Sequence, residues 1–192
     1  MATRLEIKNM ALQLLGEEPI ASSGEETKAS VMMETFYSQS LAEILAEQDW
    51  NFAHKRAAIA YDIEAPAFEF SYQYLLPSDF IRASKINSNN DEIFRIELGK
   101  ILTNSDECNL LYVVRVDNPL LLPPKFVSSL AALIASKAAY GLAGGEAKAN
   151  SMLSLYKMEM GAALIADRES GMGVLETTEA GDGVGTWRNR EG

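Results

Sequence analysis

The stretch Val31–Arg56, VMMETFYSQSLAEILAEQDWNFAHKR, decides how this chain is assembled. Met33, Phe36, Tyr37, Ser40, Leu41, Ile44, Leu45 and Gln48 recur at steps of three and four, which sets them on one stripe of a helix. Glu34, Gln39, Glu43 and Glu47 fall on the other faces and stay in water. The stripe runs straight into Asp49-Trp50-Asn51-Phe52-Ala53, with a basic cluster, His54-Lys55-Arg56, behind it. Two large aromatics at a helix end read as a lid that closes a core. Trp50 and Phe52 are therefore expected to be the structural hub.

Upstream, Thr3-Arg4-Leu5-Glu6 has the form of a capping box, and Ile7, Met10, Ala11 and Leu14 give a first helix its apolar stripe. Gly16 stops that helix near Leu15, with Pro19 beyond it. Ser23-Gly24-Glu25-Glu26 repeats the box pattern and is expected to open the long second helix.

Downstream the period changes from helical to two. Phe68, Phe70, Tyr72 and Tyr74 alternate with Glu69, Ser71 and Gln73, as in a strand with one buried face. Leu76-Pro77-Ser78-Asp79 reads as a turn. Further short strands are expected at Ile81–Ile86, Ile93–Leu98, Ile101–Thr103 and Leu110–Val116, with Gly99-Lys100 as a tight turn. Pro123-Pro124 restarts the chain as a third helix, buried through Phe126, Leu130, Leu133, Ile134 and Tyr140. A fourth helix follows over about Glu146–Arg168. The expected fold is α+β, mainly α: a four-helix bundle with a small antiparallel β insertion between helices 2 and 3, and an extended C-terminal tail. The helical part takes 1–56 and 119–170, the insertion 57–118 and the tail 171–192.

Composition narrows the function classes. The chain of 192 residues carries 17 basic and 27 acidic residues, net charge −10. Tight nucleic-acid binding is disfavoured, because phosphate neutralisation supplies most of that affinity. Cys108 is the single cysteine, which excludes an intrachain disulfide and fits a reducing compartment. One histidine and one cysteine leave no His/Cys metal site. No apolar run approaches the roughly 20 residues of a membrane span, and no secretion signal is expected. Any nucleophilic site would have to use His54, which has no evident partners in sequence. Glu25-Glu26 and Asp106-Glu107 read as solvated loop acids, and Gly144-Gly145 follows no strand that would make it a phosphate loop. No catalytic, cofactor-binding or metal-ligating residue is expected, and no enzyme activity.

Several strings in a fixed order carry a resemblance. They are ALQLLGEEPIAS (11–22), DWNFAHKRAAIA (49–60), YQYLLPSDFIRASKI (72–86), ILTNSDECNLLYVVRVDNP (101–119) and PPKFVSSLAALIASKAAYGLAG (123–144). In that order the chain resembles, over roughly residues 5–168, the tail tubular protein A family of tailed bacteriophages. The β-region is more compact here than in the best-known members. The resemblance implies a structural head-to-tail adaptor: a homo-oligomeric, dodecameric ring beneath the portal protein, with the tail nozzle or tail tube protein below. DNA would pass through the channel without specific binding, with no cofactor and no membrane. The virion neck is the implied location, with host cytoplasm during assembly. Two rival readings stand beside it: another virion ring, such as a head-completion or tail-terminator protein, and a soluble small-molecule-binding domain. In the tail, Trp187 stands beside Arg188 and Arg190 after an acidic stretch. Trp and Arg are the residues most enriched at binding hot spots, so these three are expected to engage the portal or a neighbouring subunit.

Overall fold

Thr3 opens helix α1 (Arg4–Leu15) by the expected capping box: its hydroxyl accepts the Glu6 N–H, and the Glu6 carboxylate accepts the Thr3 N–H at 2.6 Å. At the other end Gly16 sits at φ +81, with Gly16 N–H on Gln13 O and Glu17 N–H on Leu12 O. This paired 5→2 and 6→1 closure satisfies carbonyls that the helix leaves orphaned. The computed structural model describes residues 2–22, 24–87, 92–143 and 145–171. The remaining helices are α2 (Lys28–Glu47), α3 (Pro124–Ala138) and α4 (Glu146–Gly171).

Helix α2 begins later than the box pattern at Ser23–Glu26 implies. Its N-cap is Thr27, whose side chain accepts the Ser30 N–H. The Glu25 carboxylate is used elsewhere, on the Ala21 N–H at 3.0 Å, so it holds the loop rather than the helix.

Helix α3 is buried on every side from Ser129 to Ser136. Phe126, Leu130, Ile134, Ala131, Ala132, Ala135 and Ala138 all have about 1% exposure or less. Its alanines let neighbouring backbones come close, and α1, α2 and α4 all pack on it. Tyr140, read from sequence as buried, lies past the helix end and is exposed.

Among the described residues the strands are β1 (His54–Ala58), β2 (Tyr72–Leu75), β3 (Phe80–Ile86), β4 (Phe94–Glu97), β5 (Lys100–Thr103) and β6 (Asn109–Val114). They form two antiparallel three-stranded sheets, ordered β1-β6-β3 and β2-β5-β4. Tyr74, Ile86, Ile101, Cys108, Leu110 and Tyr112 come from both sheets and make a second core between them. Strand β6 serves both cores: Leu110 and Tyr112 face this one, while Val113 belongs to the helical core. That is why Leu110–Val114 reads as a continuous apolar run rather than an alternating one.

This architecture corrects the expected fold class. The chain is a mixed α+β fold with two sheets, not a four-helix bundle with a small β insertion. Three helices surround a central one, and the β-part holds a core of its own. A sheet with a core on each face cannot be an appendage to a bundle.

The aromatic strand is shorter than its alternation implies. Glu69 has φ +69 and Phe70 N–H turns back onto Phe68 O, so pairing starts only at Tyr72. Phe68 is left exposed. At the β4–β5 hairpin the two loop residues are Leu98 (φ +46) and Gly99 (φ +77). Two consecutive positive φ values define the hairpin turn that favours Asn-Gly. Leu98 is fully exposed there, so it packs against nothing that would offset the strain. Leu98→Asn is expected to stabilise the protein by about 0.5–1 kcal/mol, since a left-handed conformation costs a branched L-residue roughly 1–2 kcal/mol and Asn much less. An unchanged or lower urea midpoint would show the turn to be unstrained.

Candidate functional site

The region where α2 ends, β1 begins and α4 finishes gathers the sequence-marked hub. Helix α2 stops at Glu47, and its last carbonyls need donors. Trp50 supplies one: its indole N–H donates to Ile44 O at 2.8 Å while the ring is 1% exposed. Arg82 on β3 supplies the others, donating to Ala46 O at 3.2 Å and Glu47 O at 2.9 Å. A cation at a helix C-terminus also meets the negative end of the dipole. The β-part therefore caps α2 directly.

Trp50 and Phe52 both close on Phe126 of α3, edge to face, with centroids 5.0 Å and 4.9 Å away. Trp50 is fully buried in the helical core, whereas Phe52 is only half-buried at its margin. Between them, Asn51 begins a short 3₁₀ turn, Asn51–Ala53. The buried Asp167 carboxylate of α4 accepts the Asn51 N–H at 2.9 Å and the Phe52 N–H at 3.3 Å. Asn51 Nδ2 donates in return to Asp167 O. Tyr156 adds a third link from α4, donating to a Glu47 carboxylate oxygen at 2.9 Å. Burial and that carboxylate hold the Tyr156 phenol above its ordinary value. The assembly is a clasp that fixes α2, α4 and the β-part to one another.

Sequence reasoning missed Asp167 and Arg82. A signal for Asp167 was present: it falls in phase with Tyr156, Met160 and Ala163, the buried stripe of α4. A carboxylate on an apolar stripe needs donors. Arg82 carries no such signal, because its role depends on β3 passing the end of α2. Trp187, Arg188 and Arg190 lie outside the described residues.

His54 does meet a serine and an aspartate in space. Its Nε2 is 2.9 Å from Asp49 Oδ1 and 3.2 Å from Ser84 Oγ, and Ser84 Oγ also donates to Asp49. This is a triangle on one ring nitrogen. A relay needs the carboxylate on one nitrogen and the nucleophile on the other, so the group is a latch between the end of α2, β1 and β3. Burial raises the Asp49 pKa, but hydrogen bonds from His54 and Ser84 outweigh it and leave the carboxyl below its ordinary value. Cys108 is buried, and burial pushes its thiol up to about 11, which leaves little thiolate. Among the described residues no group of His, Cys, Asp and Glu could hold a metal ion, and no helix is long and apolar enough to cross a membrane.

A second polar knot ties β1 to the β2–β3 turn. Asp79 accepts Lys55 Nζ at 2.6 Å and the Tyr112 hydroxyl at 2.9 Å. The Lys55 hydrogen bond, helped by Tyr112, holds the Asp79 carboxyl below its ordinary 3.8. A carboxyl depressed in the folded state contributes stability above its unfolded pKa and loses it as pH falls through the folded value. Stability is thus expected to drop from about pH 5 downward. In Asp79→Asn the fall should be shallower and the neutral-pH stability lower. Parallel curves for the two proteins in a pH series of urea melts would remove Asp79 as a contributor.

No protein-family model matches the chain, and no curated protein matches it.

Proposed function

We propose that this chain is a structural head-to-tail adaptor of a tailed bacteriophage, a ring subunit that joins the portal to the tail and leaves a channel for DNA. The observation that carries this reading is the ordered set of strings from ALQLLGEEPIAS to PPKFVSSLAALIASKAAYGLAG, which resembles the tail tubular protein A family. The clasp around Trp50 supports it. A connector must pass load through each subunit, and here α2, α4 and the β-part are pinned at one point by charged and aromatic contacts. The net charge of −10 supports it too, since a repulsive wall lets DNA slide.

The deciding experiment mixes the purified chain with portal rings of its phage and images the product by cryo-EM. A dodecameric layer under the portal is the expected result. A ring on a different virion neighbour would make the chain a head-completion or tail-terminator protein. No association with any virion component would end the adaptor reading. The same protein is expected to leave duplex DNA unshifted in a mobility assay at physiological salt. A retarded band there would contradict passive passage.

A further inference from the structure

Leu120, Leu121 and Leu122 follow Asn118-Pro119 in the 3₁₀ turn that leads the chain from β6 to α3. Leu122 is buried, but Leu120 and Leu121 are 42% and 63% exposed. They border an open groove of about 730 Å³ against α1 and the start of α3, with Met10 and Val127 in its lining. A second hollow of about 400 Å³ shares Met10 and Ser128 with it and continues to Leu14 of α1 and Leu155 of α4. The charged side chains among the described residues lining the two are both carboxylates, Glu6 and Glu159. The surface is apolar in its floor and acidic at its rim.

Residues 172–192 carry the complementary chemistry. Trp187 is their one aromatic and Arg188 and Arg190 their basic residues, with Glu191 next to them, while Glu176, Glu179 and Asp182 come well before. The stretch Trp187–Glu191 nets one positive charge (two arginines, one glutamate) against three negative charges at Glu176, Glu179 and Asp182, so an acidic rim favours this end over the earlier run. Trp and Arg are also among the residues most enriched at binding hot spots. Reach is ample: about 16 residues beyond Gly171 extend to roughly 55 Å, against about 39 Å for the whole of α4. Tethering sets an effective concentration on the millimolar scale, so a subunit's own segment outcompetes a neighbour's in dilute solution.

We propose that the Trp187–Arg190 segment docks in the groove of its own subunit, with Trp187 on Leu121 and Met10 and the arginines toward the acidic rim. The proposal does not rest on the adaptor reading. It gives Trp187 a site in the free subunit, where the sequence suggests only a portal or a neighbour.

The test uses the full chain labelled with 5-fluorotryptophan and read by ¹⁹F NMR, with Trp187→Phe to assign the two signals. Trp187 is expected to show a shift and a solvent-isotope effect typical of a shielded indole, unchanged with protein concentration below the millimolar scale. Leu121→Glu should return it to the exposed position while the Trp50 signal stays put as the control for folding. Arg188→Glu combined with Arg190→Glu, placed away from the core positions, should do the same. Three results would overturn the proposal: an exposed Trp187 in the unmodified chain, shielding that survives these variants, or shielding that appears only as concentration rises. The last would place the segment in a neighbour's groove.

Discussion

Trp50→Ala is expected to cost about 3–5 kcal/mol, the usual range for truncating a large buried aromatic. Two losses add here. The indole is 1% exposed and lies edge-on to Phe126 at 5.0 Å, so its removal opens a cavity between α2 and α3. The indole N–H also donates to Ile44 O, and that carbonyl would be left buried without its donor. For a chain of this size each kcal/mol moves the melting temperature by about 2–4 °C, so the shift should be of order 10 °C. Trp50→Phe separates the two losses: it keeps most of the ring volume and removes the donor, and should cost about 1–2 kcal/mol. A melting temperature within a degree or two of the parent for Trp50→Ala would show that this region is not a hub.

What could be read from the sequence follows a physical division. Most local signals held, the Ser23–Glu26 box excepted: the Thr3 box, the Gly16 stop and the stripe from Met33 to Leu45 are set by residues within a few turns of one another. Non-local assembly did not. Phe68 continues the alternation of Phe70, Tyr72 and Tyr74, yet a positive φ at Glu69 breaks the strand before it pairs. Period-two patterning gives the face of a residue but not whether a partner strand reaches it. The same limit hid the second core. Leu110–Val116 reads as a strand, but the sequence does not say what covers each face; helices cover one and a second sheet the other.

The hub shows the division at one site. Trp50 announces itself as an aromatic at the end of an apolar stripe, and Asp167 could be found by its phase on α4. Phe52 has the same signal as Trp50 but is only half-buried, because the 3₁₀ turn leaves it at the margin of the core. The donor role of Arg82 arises only once β3 has paired with β6 and been carried to the end of α2. The groove beside Leu121 is of the same kind: three adjacent leucines mark an apolar turn, but only the packing of α1 against α3 leaves two of them uncovered.

Asp167→Ala should be the second most damaging of these changes. The carboxylate is 7% exposed and accepts two backbone N–H groups, from Asn51 and Phe52, at the start of the 3₁₀ turn. Alanine removes the acceptor of both donors under the last turns of α4. Charge-assisted hydrogen bonds of this kind carry about 1.5–3 kcal/mol, and stranded donors add to the loss, so about 2–3 kcal/mol is expected in urea unfolding. Asp167→Asn retains one acceptor oxygen and should lose about half as much. The damage should also be directional. Amide exchange should rise first in the last turns of α4 and in Asn51–Ala53, because those are the segments the carboxylate joins, whereas β5 should stay protected. Trp50 and Asp167 act on neighbouring residues of one turn, so the double variant should depart from additivity by about 0.5 kcal/mol or more. Additive losses, or an Asp167→Ala protein within about 0.5 kcal/mol of the parent, would mean that α4 is held by its apolar stripe alone and that the clasp contributes nothing.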